Sequence, residues 1–129
     1  MALAWSRYTA LVFAIGLAIG EAVINWGHWQ WWPLWVVDYG IVVWLLYGFV
    51  ASRDPRRAHA LTTAWAFAFG VFYIALFATL DGIRRGDAAF GKSPVILVLM
   101  AIMTILAALG VATGSFAHRK ALAPGASSE

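Results

Sequence analysis

The sequence predicts an all-α protein in which four helices cross a bilayer as one bundle, and three observations carry that expectation. Four apolar stretches, 8–26, 34–51, 58–80 and 95–116, fill most of the 129 residues. Each is close to the ~20 residues that a helix needs to cross the hydrocarbon core. The composition, 63% hydrophobic and 12% charged with a mean hydropathy of +0.79, leaves too few polar residues to give each helix the wet stripe of a soluble bundle. Finally, the gaps between the stretches hold the residues that start and stop helices. In lipid no water satisfies a backbone N–H or C=O, so segments this apolar must close their hydrogen bonds internally as helices.

The first span, 8–26, follows Arg7 and carries one acid, Glu21. Ala18-Ile19-Gly20 before Glu21 resembles a signal-peptide cleavage site, but the apolar run continues through Ile24, long for a signal core, so a retained span is expected. Trp32-Pro33 opens the second span, in which Asp38 is the sole charge. Asp54-Pro55 supplies a capping side chain and a first-turn proline for the third, and Ser93-Pro94 does the same for the fourth, which has no charge over 95–116. Gly82, Gly86 and Gly91 predict a flexible third loop. Residues 1–120 thus form a single four-span domain, and 121–129, with Pro124, Gly125 and two serines, reads as a disordered cytoplasmic tail.

Basic residues set the expected orientation. Arg7, Arg53, Arg56, Arg57, Arg119 and Lys120 fall on one side of the four-span topology, against Arg84, Arg85 and Lys92 on the other. Six against three predicts an N-in, C-in protein of a bacterial-type inner membrane, multi-pass, with the first and third loops outside. The formal charge of +3 sits in clusters at span ends, so it addresses topology and headgroups and gives no reason to expect a nucleic-acid partner. Without a cysteine, disulfides, thiolate metal sites and thiol catalysis are excluded. No cofactor is expected: the histidines lie at 28, 59 and 118, at span ends, and none is deep enough for haem ligation.

Small residues recur at four-residue spacing, as in Gly16/Gly20, Ala66/Gly70 and Gly110/Gly114, with Gly40 and Gly48 eight apart. Such faces let helices approach closely, either within the monomer or in a homo-oligomer or larger membrane complex.

Function has to be read from the polar residues inside the spans. Glu21 and Asp38 each lie about five residues, ~7.5 Å of rise, from the outer ends of adjacent antiparallel helices, and so are expected at one depth. An acid inside a span is costly and is a functional-site hypothesis by default. Asn25 and His28 continue the Glu21 stripe at i+4 and i+7, and Tyr73 lies in the same half of the third span. Trp26, Trp29, Trp31, Trp32 and Trp35 crowd the first loop, either as interfacial anchors or as the aromatic wall of a ligand site. The expected function is therefore binding or transport of a cation, a proton-coupled solute or a small amphipathic ligand in an outward-facing, acidic, Trp-rich pocket. The alternatives are an accessory or assembly subunit whose acids glue helices together, a membrane enzyme using the acids for proton transfer, and a metal site of Glu21, His28 and Asp38.

Gly20-Glu21-Ala22-Val23, in a four-span chain of this size, resembles the small multidrug resistance transporters, in which a first-span glutamate binds protons and cationic drugs in turn. The resemblance implies such a role for Glu21 and a dimer as the working unit. The chain departs from that pattern in the outward position of the glutamate, the additional Asp38 and the tryptophan loop.

Overall fold

The computed structural model describes residues 1–24, 32–86 and 94–122. Four helices dominate it: α1 (Ala2–Ile24), α2 (Trp32–Ala51), α3 (Ala58–Arg84) and α4 (Pro94–Leu122). All four are long and apolar enough to cross a membrane. They extend beyond the apolar stretches because lipid-crossing length and helix length are set by different things: a helix continues into polar flanks until a backbone signal stops it.

Those signals are visible at the two described turns. Asp54 does cap, through its carboxylate Oδ1, which accepts from the Arg56 N–H at 3.0 Å. The cap closes a single 3-10 turn, Pro55–Arg57, and α3 proper begins only at Ala58. At the other end of α3, Gly82 lies inside the helix and is buried, not part of a flexible loop. The stop comes at Gly86, whose φ of +75° is a left-handed conformation that glycine adopts without steric cost.

The helices run alternately up and down around a ring in which α1 touches α2 and α4, and α3 touches α2 and α4. Pairings at matched ends establish this. The Arg7 Nε–H donates to the Phe49 carbonyl at 3.3 Å, joining the start of α1 to the end of α2. The Arg7 guanidinium also lies 5.1 Å over the Phe49 ring. His59 and His118 meet at the start of α3 and the end of α4, and Thr79 reaches Met100 at the opposite end. Arg7, Arg53, Arg56, Arg57 and Arg119 consequently share one end, the arginine end. Glu21 and Asp38 lie toward the other, the carboxylate end.

The core is built around Trp65. Its ring is fully buried, packs edge-on against Phe13 at 5.1 Å, and donates its indole N–H to the Ser6 hydroxyl at 3.2 Å. Its face lies on Gly110, where an added Cβ would collide with the indole ring. Gly48 against Leu61 and Gly114 against Thr62 are the other close approaches, with an added Cβ falling 2.8 and 2.6 Å from the nearest neighbouring atom. By contrast Gly16, Gly20, Gly40 and Gly70 have nothing within 4 Å of such a Cβ. The small-residue faces therefore divide. Gly48, Gly110 and Gly114 are packing sites within the chain, and the other four look onto open space.

The exterior is the inverse of a soluble protein's. Val12, Ile15, Ile19, Val43, Ile74, Val98, Ile102 and Ile105 are exposed, whereas Ser6, Ser52, Thr79 and Thr104 are buried. The buried hydroxyls are satisfied locally: Thr104 donates to the Met100 carbonyl at 2.7 Å and Thr79 to that of Ala75 at 2.8 Å. Apolar residues outside and satisfied polar groups inside suit a lipid environment and suggest a multi-pass membrane protein.

The division of the glycines has a measurable consequence. Gly110→Ala forces a methyl into the buried Trp65 ring, and detergent unfolding should show a loss of about 1–3 kcal/mol. Gly16→Ala meets nothing and removes a flexible helix residue, so the same assay should show no loss and a gain of up to about 1 kcal/mol.

Candidate functional site

A cavity of about 310 Å³ lies lengthwise between α1 and α4. From α1 it is lined by Thr9, Val12, Phe13, Gly16, Leu17, Gly20 and Glu21, a helical stripe of three to four residues' spacing. Ile96, Leu99, Met100, Met103 and Leu106 form the α4 wall, and Phe72 of α3 closes the floor. The two open glycines of α1 explain part of its width, since no side chain fills the seam there. The two methionines opposite are unbranched and adaptable, a lining that accommodates more than one shape.

Among the described residues Glu21 is the only charged one on this lining, at the end opposite the Pro55–Arg57 turn. With the exception of Thr9, everything else that lines the cleft is apolar or glycine. From Thr9 to Glu21 is twelve residues, or ~18 Å of helix rise. An elongated apolar ligand with one cationic group would match the cleft in shape and charge.

Asp38, from α2, is partly buried and within electrostatic range of Glu21. Glu21 borders the cleft near the end of α1, and Asp38 lies beyond its lining near the start of the neighbouring α2. Tyr73 is elsewhere. It is 47% exposed on α3, its ring stacked between Phe69 and Phe77 at 5.7 and 4.7 Å, and it does not line the cleft. Trp32 and Trp35 stand at the start of α2, 67% and 41% exposed, with Trp35 edge-on to Tyr39. Asn25, His28, Trp26, Trp29 and Trp31 lie outside the described residues. Among the described residues, no group of three His, Asp or Glu side chains could hold a metal ion.

The cleft walls were not legible as such. Gly16/Gly20 was readable as a packing face, and only the separation of α1 from α4 turns it into a cavity wall. Phe13, Phe72, Met100 and Met103 are ordinary apolar residues of spans, and no local pattern marks them. Trp65 was the one available signal: a lone tryptophan in the middle of an apolar span, away from either interface, needs a partner for its N–H.

Comparison with protein-family models, with characterised proteins and with solved structures finds no match. The site is therefore read from its own chemistry.

If the two acids sense one another, their replacement is not additive. A double-mutant cycle of Glu21→Gln and Asp38→Asn in detergent unfolding should give a coupling energy of at least about 0.5 kcal/mol. Additivity within about 0.3 kcal/mol would separate the two residues energetically.

Proposed function

We propose that this chain is a small four-span inner-membrane protein, both termini cytoplasmic, that binds or transports a cation, a proton-coupled solute or a small amphipathic ligand at Glu21 and Asp38. The observation that carries this reading is the placement of Glu21 as the only charge, among the described residues, on the long apolar cleft, with Asp38 in electrostatic range on the next helix. Two acids at one level give a cation somewhere to bind and a proton somewhere to leave from. The cleft gives an apolar body a place to lie. In sequence, Asn25, His28 and the tryptophans of 26–35 come directly after Glu21 as candidate polar partners and aromatic faces for the same ligand, whereas Tyr73 stands apart on α3.

A second reading, an accessory subunit without chemistry of its own, is favoured by one feature of α2. Val36, Tyr39, Gly40, Val43, Trp44 and Tyr47 form a continuous outward surface on which Gly40 meets nothing within 4 Å. A second copy or another membrane helix could pack there.

Proton release on ligand addition separates the two. In detergent, a panel of cations and amphipaths should release protons from the wild type and change its tryptophan emission, and Glu21→Gln or Asp38→Asn should abolish the release while the protein stays folded. A wild type silent across the panel, with both variants melting early, would transfer the assignment to the accessory subunit. For orientation, a C-terminal reporter active only in the cytoplasm should be active. A reporter signal confined to the opposite side would reverse the topology.

A further inference from the structure

The arginine end plays no part in the reading above, yet among the described residues it carries the largest excess of positive charge. Arg53, Arg56 and Arg57 are exposed within five residues, and Arg119 is exposed on the last turns of α4, which pack against the Pro55–Arg57 turn. His59, in the first turn of α3 directly after this turn, meets His118 of α4 with 6.1 Å between ring centroids.

This turn is rigid. Its backbone is closed by hydrogen bonds from Ser52 to Gly48, Arg53 to Val50, Asp54 to Ala51 and Arg57 to Asp54, at 2.9–3.2 Å. The one acid in it, Asp54, is already engaged by the Arg56 N–H, and its other oxygen lies 3.9 Å from Arg57 Nε. Arg53, Arg56 and Arg119 have no carboxylate partner among the described residues. Three exposed guanidiniums against one carboxylate leave an excess of two positive charges on the turn, and Arg119 of α4 raises the local excess to three.

The four described side chains are all arginine, with Lys120 next to Arg119 in sequence. A guanidinium offers a planar fork that matches two oxygens of one phosphate, whereas lysine would offer a point charge. A simple positive rim for topology has no need of forks. A phosphodiester carries one negative charge, so a single one cannot balance this surface.

We propose that the arginine end binds the headgroup of an anionic phospholipid carrying more than one phosphate, in the leaflet that this end faces. The inference rests on the chain lying in a membrane and is independent of the Glu21 site. Arg53, Arg56 and Arg57 hold the headgroup from the turn and Arg119 from α4. The exposed apolar surface of the spans continues away from it to receive the acyl chains.

The test uses the full chain in nanodiscs of phosphatidylcholine containing either phosphatidylglycerol or cardiolipin at matched total charge, followed by detergent extraction and mass spectrometry of the retained lipid. Cardiolipin should be retained over phosphatidylglycerol, and each substitution among Arg53→Gln, Arg56→Gln, Arg57→Gln and Arg119→Gln should lower its retention roughly fivefold. The pair Arg84→Gln and Arg85→Gln, at the opposite end, should leave it unchanged. Equal retention of the two lipids, or an equal loss in the Arg84/Arg85 pair, would overturn the proposal. So would displacement of cardiolipin by millimolar inorganic pyrophosphate, which would assign the surface to a soluble phosphate. Alkaline extraction of the chain from cell membranes checks the premise separately: a chain released into the wash would remove the membrane reading itself.

Discussion

The layer formed by Ser6, Phe13, Trp65 and Gly110 is the constraint from which the rest of the bundle follows. A tryptophan buried in an apolar interior must pair its N–H, and Trp65 does so with a hydroxyl on a different helix. Its bulk must be accommodated, and α4 gives way by presenting a glycine. One side chain therefore ties α1, α3 and α4 at a single level. In lipid, where water exclusion contributes little between helices, such close packing and a hydrogen bond worth about 0.6 kcal/mol on average decide which faces meet.

The cleft begins one turn beyond the Trp65–Ser6 hydrogen bond, with Phe13 shared between layer and cleft. One turn beyond Ser6 and one turn beyond Gly110, at Thr9 and Leu106, the α1–α4 seam is no longer filled by an indole. Gly16 and Gly20 add no volume from α1, and Met100 and Met103 add only flexible chains from α4. The same feature that locks the bundle at the arginine half leaves the carboxylate half hollow. Glu21 stands on that hollow, near Asp38, so the costliest residue of α1 lies where a ligand or a proton could reach it.

The two ends accordingly differ in kind. At one, a rigid turn and the close of α4 hold guanidiniums over a solidly packed core. At the other, acids border an open seam. A protein that handles a cationic or proton-coupled ligand needs the second end to stay adaptable.

The sequence by itself determined the helices, their number and their order, because lipid-crossing length and apolar content are local properties that survive in any tertiary arrangement. It also placed Glu21 and Asp38 toward the same end of neighbouring helices, since alternating helix direction and a short connection suffice for that. What it could not determine is which faces meet. Gly16/Gly20 and Gly110/Gly114 are the same pattern in one dimension, yet Gly110 and Gly114 lie against side chains of α3 and the other pair opens a cavity. Tyr73 falls in the right half of α3 by counting, but the rotation of α3 stacks it with Phe69 and Phe77 on an exposed face. Helix rotation about its own axis is set by packing, and with nearly uniform apolar faces no periodic signal encodes it. The tertiary structure decided it through one large ring, Trp65, that fits in only one place.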